Sequence, residues 1–180
     1  GRGIDVRAIG IDRERRADMQ AIYAFCRTVD DLGDEAVGDR SAALEYFAED
    51  LARCWDGSPT TPILSALAVT VRRRDLPQDP FQRLVAANRM DQQRQRYATY
   101  GELLDYCRHS ATPVGQMILG VLGCDDPRRR TLSDHTCIGL QLVNFWQDMR
   151  RDLTDNGRIY LPAEDMARFN VSENDILRRI

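Results

Sequence analysis

Apolar residues recur at helical spacing along almost the whole chain, and this periodicity leaves little room for a β-sheet. In the first predicted helix, Met19, Ile22, Cys26 and Val29 share one face at the spacing of an amphipathic helix. Later segments repeat the pattern, whereas the alternation of apolar and polar residues that marks a strand is almost absent. The sequence therefore predicts an all-α protein.

Residues that begin or end helices punctuate this pattern. Aspartate and threonine side chains accept hydrogen bonds from the free N–H groups of a first helical turn, and proline fits that turn. Gly157 supplies a stop after the longest predicted helix, and two short helices are expected after Pro162 and Ser172. Start signals precede five further helices, at Asp12, Thr61, Asp79, Thr99 and Asp126.

The helix predicted from Tyr100 to about Gly123 carries a proline in its interior. Pro113 has no N–H to donate, and its ring clashes with the preceding turn. We therefore expect a kink or an unwound turn near Pro113 and Gly115.

The predicted helices form one domain over residues 1–180, because no repeat, linker or low-complexity stretch divides them. The helical pattern that starts at Ser172 meets no stop signal after Arg179. We therefore expect the chain to be a fragment of a longer helical domain.

Basic residues are supplied by arginine alone, since none of the 25 Lys and Arg residues is a lysine. A chain without lysine has no lysine Schiff base, P-loop lysine or lysine general base. Guanidinium groups pair well with phosphate, so we expect arginine to bind any phosphate group that this protein recognises. The formal net charge of -3 also argues against a nucleic-acid partner, which requires a basic surface.

The cysteines and the longest apolar run indicate a cellular location. The five cysteines form no C-x-x-C motif, as expected for thiols in a reducing compartment. Residues 117–124 are apolar throughout, but the run is too short to span a bilayer. We expect a cytoplasmic protein, and peripheral contact with the cytoplasmic face of a membrane stays open.

Three pairs of aspartates have the four-residue spacing that places two carboxylates side by side on a helix. One pair falls among prolines, where no helix can hold it together. The other two fall at the C-terminal ends of predicted helices, and carboxylates placed in this way can hold a divalent cation. These pairs are Asp30 with Asp34, and Asp148 with Asp152.

Hydrogen-bonding side chains precede each pair on the same helix face. Tyr23 and Arg27 share a sector of roughly 60° with the first pair, and Gln141 and Asn144 share about 80° with the second. Two such rows facing each other form a cleft with carboxylates at its mouth and apolar walls beneath. Such a cleft suits an organic diphosphate, because magnesium can bridge carboxylates to phosphate oxygens.

Five stretches carry longer motifs, and QLVNFWQDMRRD and RTVDDLGDE are the most informative of them. In this order and over most of the chain, the stretches resemble the squalene/phytoene synthase family of head-to-head prenyl synthases. Within that family, the two quoted motifs are similar to the bacterial hopanoid-cluster branch, squalene synthase HpnC. The stretches are residues 23–35, 96–107, 110–115, 141–152 and 157–162.

The resemblance implies an isoprenoid synthase fold, all-α, in which two aspartate-rich helices face each other across a central cavity. Catalytic carboxylates that bind the magnesium–diphosphate cluster would be Asp30, Asp34, Asp148 and Asp152. Contacts to the diphosphate or the departing pyrophosphate would come from Tyr23, Arg27, Gln141 and Asn144. The prenyl cavity would be lined by Tyr106, Ala111 and Gly115, and the flap over its mouth would contain Arg158 and Tyr160.

The implied reaction is the Mg²⁺-dependent ionisation of a prenyl diphosphate with release of pyrophosphate. It would convert presqualene diphosphate to hydroxysqualene, or condense farnesyl diphosphate towards squalene. Tyr106 would either orient pyrophosphate or a water, or only pack. Other enzymes of squalene and hopanoid synthesis are the implied partners. Gln147 stands where the family commonly has arginine, which makes the site less cationic and fits a single diphosphate. Relatives also have extra N-terminal residues and several more C-terminal helices.

Other readings of the same residues stay open. The enzyme could be phytoene synthase-like, and Asp30-Asp31-x-x-Asp34 also matches the D-D-x-x-D pattern of chain-elongating prenyl transferases and terpene-cyclising enzymes. The two polar rows could equally be solvated faces of a non-catalytic helical interaction domain. No glycine-rich dinucleotide fingerprint is present, so the use of NADPH has no support in this chain.

Overall fold

The computed structural model describes residues 12–179, so the two ends of the predicted domain, residues 1–11 and 180, lie outside it. Over residues 12–179 the chain forms nine α-helices and no strand, as the periodicity predicts. The helices are α1 (Arg13–Asp34), α2 (Arg40–Ala52), α3 (Pro62–Arg74), α4 (Asp79–Gln93), α5 (Tyr100–Ser110), α6 (Thr112–Leu122), α7 (Pro127–Asn156), α8 (Ala163–Arg168) and α9 (Glu173–Arg179).

The predicted start signals act as caps in most places. The side chains of Asp12, Thr99 and Asp126 each accept a hydrogen bond from a backbone N–H three residues later, at 2.7, 3.2 and 2.9 Å. One prediction is wrong by a residue: Gln78 is the N-cap of α4, and Asp79 is its first helical residue. There the Asp79 carboxylate accepts from Arg83, at 2.8 Å, instead of from the backbone.

The helix predicted from Tyr100 to about Gly123 is divided in two, as its internal proline required. α5 ends at Ser110, and Ala111, with φ -111° and ψ -49°, is both the C-cap of α5 and the N-cap of α6. Pro113 is then the second residue of α6, in a first turn where a missing N–H breaks no helical hydrogen bond. The break separates α5 from α6, and both helices pack against α7.

A large apolar core holds the first four helices together with α6. Phe25 of α1 stacks near Phe47 of α2 and Phe81 of α4, with ring centroids 6.1 and 5.3 Å apart. A second buried cluster lies where α4, α5 and α7 meet the segment after α7. Its members are Ala87, Tyr97, Leu103, Tyr106, Cys107, Leu142, Phe145 and Tyr160.

The contact between α6 and α7 depends on a glycine. A Cβ atom at Gly115 would lie 2.4 Å from the Ser133 Oγ and 2.7 Å from the Cys137 Sγ, far inside van der Waals contact. The absence of a side chain therefore lets α7 pack closely on α6. None of the helices in the described part of the chain is long and apolar enough to cross a membrane.

Candidate active site

A cavity of about 380 Å³ lies between α1, α4, α5, α6 and α7, and the segment that follows α7 forms part of its wall. Its lining is dominated by charged and hydrogen-bonding side chains, with Leu84, Val114 and Phe145 as apolar members. The polar and charged residues that line it are Asp30, Asp34, Asn88, Asp91, Tyr106, Ser110, Gln141, Asn144, Asp148, Arg151, Asp152, Asn156, Arg158 and Tyr160.

Both predicted aspartate pairs line this one cavity, and each comes from a different helix. Asp30 and Asp34 occupy the last two turns of α1, and Asp148 and Asp152 lie near the end of α7. Their helical spacing turns both members of each pair to the same side. Residues more than a hundred positions apart in sequence therefore share a single space.

Two of these carboxylates, Asp30 and Asp152, lie where negative charge is unfavourable. Burial raises the pKa of Asp30, with the charge of Asp34 adding to the effect and a hydrogen bond from Asn88 opposing it. Burial likewise raises the pKa of Asp152, and the neighbouring Asp148 carboxylate raises it further. A cation entering the cavity would relieve both the burial penalty and the repulsion.

These acids suit a metal that arrives together with its ligand. Among residues 12–179, no three His, Cys, Asp or Glu side chains lie together closely enough to hold a metal by themselves. Mg²⁺ takes oxygen ligands and usually uses only one or two carboxylates, with phosphate oxygens and waters filling its remaining positions. Two carboxylate pairs on different walls of one cavity fit that donor requirement.

The side chains that precede the acids on α7 reach the same cavity, as the sequence predicts. Gln141 and Asn144 line it one to two turns before Asp148. Arg151, which sequence reasoning did not single out, also lines it and lies 3.3 Å from the Asp148 carboxylate. Gln147 is exposed and outside the lining, so Arg151 brings positive charge to this wall although Gln147 is neutral.

Arg158 and Tyr160 are brought to the cavity by the turn that ends α7. Gly157 adopts a left-handed conformation with φ 66°, which reverses the chain. The Ile159 N–H then donates to the carbonyl of Gln95 at 3.0 Å. The Arg158 guanidinium is buried and donates to Asp34, from Nη1 to Oδ1, at 2.8 Å.

Four predicted substrate contacts lie outside the lining of this cavity. Tyr23 is 71% exposed and lines an adjoining apolar pocket of about 150 Å³ between α1 and α6, which shares Cys26 and Val114 with the cavity. Arg27 is exposed and lies 2.7 Å from Asp31 on the surface of α1. Ala111 is the break between α5 and α6, and Gly115 is packed against α7. Their predicted contacts with substrate stay predictions.

Asp91, near the end of α4, is a site residue that sequence reasoning missed. Its side chain is only 10% exposed, and burial raises its pKa to about 6, although hydrogen bonding and a nearby guanidinium act in the opposite direction. The Tyr106 hydroxyl donates to Oδ2 at 2.5 Å, and the Tyr160 hydroxyl donates to Oδ1 at 3.2 Å. Arg158 Nη1 lies 3.9 Å from Oδ2.

A signal for this residue is present in the sequence. Leu84, Asn88 and Asp91 follow one another at the spacing of a single helix face, so polar residues continue a stripe that begins as apolar core. A second feature indicates that Asn88 also has a fixed place beside the aspartates. A Cβ at Gly33 would lie 2.3 Å from the Asn88 Oδ1, so a glycine beside the first aspartate pair makes room for this amide.

The comparison with known protein families decides between the open readings of fold and family. The family model described as squalene/phytoene synthase matches residues 10–180. The chain belongs to the squalene/phytoene synthase family. Its predicted isoprenoid synthase fold is confirmed by the crystal structure of squalene synthase HpnC from Alicyclobacillus acidocaldarius. That structure has a TM-score of 0.88 and 48% identity, over 94% of this chain and 64% of that one.

Curated relatives of the chain are named for two different products. A phytoene synthase of Arthrospira platensis is 35% identical over 178 residues, covering 91% of this chain and 57% of that protein. A hydroxysqualene synthase of Sinorhizobium fredii is 32% identical over 166 residues, covering 92% and 56%. Both relatives are enzymes by name, and the chain spans little more than half of their length.

Proposed function

We propose that this chain carries the ionisation site of a squalene synthase-type enzyme, which acts with Mg²⁺ on a prenyl diphosphate and releases pyrophosphate. The observation that supports this most strongly is that Asp30, Asp34, Asp148 and Asp152 line one cavity from two helices. Family membership supports the same reaction, because the named relatives are synthases of squalene and phytoene type.

The polar end of the cavity would hold the diphosphate. Bound Mg²⁺ supplies positive charge to the diphosphate oxygens and so favours their departure from carbon. Gln141 and Asn144 offer amide N–H donors on the same wall, and Arg158 offers a buried guanidinium. These groups stabilise the charge that develops on the leaving oxygen as the C–O bond breaks and its electron pair goes to pyrophosphate.

The aromatic residues beneath the acids would face the resulting allylic or cyclopropylcarbinyl cation. Phe145 and Tyr160 stack with ring centroids 4.0 Å apart and an interplanar angle of 8°. Tyr106 lies beside both, at 6.1 and 5.6 Å. Aromatic faces attract cations and offer no strong nucleophile, so this wall favours survival of the carbocation until it rearranges or is captured.

For the substrate we favour the C15/C30 class, with presqualene diphosphate converted to hydroxysqualene or farnesyl diphosphate condensed towards squalene. The 48% identity to squalene synthase HpnC supports this choice and a place in hopanoid or triterpene synthesis. A phytoene synthase-like reaction on longer prenyl diphosphates is the second candidate. It is supported by a phytoene synthase of Synechocystis that is 35% identical over 180 residues.

The deciding experiment supplies full-length protein and Mg²⁺ with farnesyl, presqualene or geranylgeranyl diphosphate, each with and without NADPH. Products are identified by mass spectrometry, and pyrophosphate release is measured in parallel. Hydroxysqualene or squalene supports the C30 assignment, and phytoene supports the second candidate. Products of chain elongation or cyclisation, or no pyrophosphate release from any substrate, would contradict the proposal.

Location and partners belong to the same proposal. We propose a cytoplasmic enzyme that meets its apolar substrate and product at the membrane surface, and that works with other enzymes of squalene and hopanoid synthesis. Fractionation of cells into soluble and membrane pools, with and without high salt, tests the first part. Co-purification with such enzymes tests the second.

A further inference from the structure

The carboxylate of Asp91 is shared by residues from two other segments of the chain. Tyr106 belongs to α5, and Arg158 and Tyr160 belong to the segment after α7. The hydroxyls of Tyr106 and Tyr160 donate to different oxygens of the carboxylate, at 2.5 and 3.2 Å. The Arg158 guanidinium lies 3.9 Å from the oxygen that Tyr106 contacts. One buried side chain of α4 therefore fixes three side chains of the cavity wall.

This arrangement sets the direction of both hydroxyl groups. A phenolic oxygen has one proton to donate, and in both tyrosines that proton points to Asp91. The Asp91 carboxylate therefore fixes the direction in which each hydroxyl donates, and with it the position of each tyrosine oxygen. Fixed hydroxyl groups keep the stacked rings of Tyr106 and Tyr160 in one orientation at the cavity wall.

Asp91 also gives Arg158 a second counter-charge. The guanidinium donates a hydrogen bond to Asp34, at 2.8 Å. If Asp34 binds a cation instead, that hydrogen bond is lost, and a buried guanidinium then needs another anion nearby. Asp91 lies close enough to keep Arg158 at the cavity wall, where it can meet pyrophosphate.

We propose that Asp91 is a positioning residue of the ionisation site, which holds the hydroxyl groups of Tyr106 and Tyr160 in one orientation at the cavity wall and keeps Arg158 in place when Asp34 binds a cation. The inference rests on the proposed function. It assigns Asp91 no contact with the reacting atoms, and its effect on the reaction passes through the three residues that it holds.

Kinetics of full-length variants test the inference. Asp91→Asn keeps the shape of the side chain but removes its charge and one acceptor oxygen. We expect kcat to fall about 100-fold, the cost of slightly misplaced groups, while KM for the prenyl diphosphate changes little. Asp91→Glu restores the carboxylate and should recover part of kcat. Asp105→Asn, an exposed aspartate on α5, is the matched control and should retain wild-type kcat.

A measurement without substrate separates this inference from the proposed function. Tyrosine hydroxyl protons held in buried hydrogen bonds exchange slowly and can be followed by NMR in protein with labelled tyrosine rings. We expect slowly exchanging hydroxyl protons at Tyr106 and Tyr160 in the wild type and in Asp105→Asn, and their loss in Asp91→Ala.

The outcomes are distinct. Wild-type kcat in Asp91→Asn, a loss of kcat that only follows the folded fraction, or protected hydroxyl protons in Asp91→Ala would each overturn the role of Asp91. A different result would contradict the proposed function: the wild-type protein releases pyrophosphate from no prenyl diphosphate, yet its hydroxyl protons depend on Asp91. In that case Asp91 has no role in the reaction, although its contacts with the two tyrosines are confirmed.

Discussion

Arg158 donates to Asp34 across 124 positions of sequence, with 2.8 Å between Nη1 and Oδ1. The arginine side chain is 8% exposed, whereas the aspartate is 45% exposed. The pair therefore joins the end of α1 to the segment after α7 at the edge of the cavity. Its guanidinium also faces Asp91, so removal of Arg158 leaves two carboxylates without their cation.

Replacing Arg158 by glutamine should destabilise the protein by about 1–3 kcal/mol, because a buried charge-assisted hydrogen bond is lost and Asp91 keeps no counter-charge. Urea unfolding at pH 7 measures the effect. Arg129→Gln is the control, since Arg129 pairs with Asp126 at the surface, where an ion pair contributes little. Equal losses in the two variants would contradict the importance of the Arg158 contacts.

Replacing Asp148 by asparagine should lower kcat by about 100- to 1,000-fold, because the leaving pyrophosphate loses electrostatic stabilisation. Asp30→Asn should act in the same direction from the other wall. Pyrophosphate release at saturating substrate measures both. Asp155→Asn lies on the same helix with an exposed side chain and should retain full activity. A fully active Asp148→Asn enzyme would rule out the proposed metal ligands.

Mg²⁺ and a non-hydrolysable diphosphate should stabilise the protein together more than either does alone. Each wall offers only a pair of carboxylates, so a cation gains most of its ligands when phosphate oxygens are present. With farnesyl thiodiphosphate at about 100 times its Kd, the free energy of unfolding should rise by about 2.7 kcal/mol. Thermal unfolding with Mg²⁺ alone and with both ligands checks this, and no difference between them would favour an interaction domain.

Stability should depend on the protonation of Asp91. The pKa of this carboxyl is raised from 3.8 to about 6 in the folded protein. The protonated form is therefore favoured by folding, and the stability it contributes is present below pH 4 and lost as pH rises through 6. The loss is of the order of 3 kcal/mol, from a shift of about two units.

Comparison of Asp91→Asn with the wild type isolates this effect from other carboxyls. The free energy of unfolding, measured by urea at pH 4, 5, 6 and 7, should change in favour of Asp91→Asn as pH rises. Asp30 and Asp152 titrate in both proteins, so their contributions cancel in the difference. A pH-independent difference would show that Asp91 has an ordinary pKa.

Replacing Gly115 by alanine should destabilise the protein by about 1–3 kcal/mol, because the new methyl group overlaps Ser133 and Cys137. Gly139→Ala is the control, since a Cβ there meets nothing within 4 Å and alanine favours the helix. Shortening both neighbours, in Ser133→Ala with Cys137→Ala, should recover part of the loss. Equal stability of the two glycine variants would contradict the close packing of α6 on α7.

The predictions from sequence succeeded where local periodicity carries the information. Aspartates four residues apart on a helix must share a side, so the two pairs could be recognised before their cavity was known. Tyr23 shows the limit of the same argument. It shares a sector with Asp30, but seven residues of helix separate the two by about 10 Å along the axis, and the cavity does not extend that far.

Asp91 shows what periodicity does not contain. The stripe of Leu84, Asn88 and Asp91 indicates which side of α4 faces the cavity, but it does not reveal the partners of Asp91, because all three come from other segments of the chain. Gly115 is similar, since its small size permits a contact with Ser133 and Cys137 of α7 that no pattern within α6 indicates. In both cases the decisive neighbour is distant in sequence.

The bond between Asp34 and Arg158 has a consequence during protein synthesis. A ribosome that adds about 5–20 residues per second needs about 6–25 seconds to cover the 124 positions between them. Throughout that interval α1 presents its carboxylates without their arginine. A growing chain therefore cannot assemble this cavity until α7 and its turn have emerged, whereas every residue of the apolar core shared by α1–α4 and α6 has been synthesised before α7 begins.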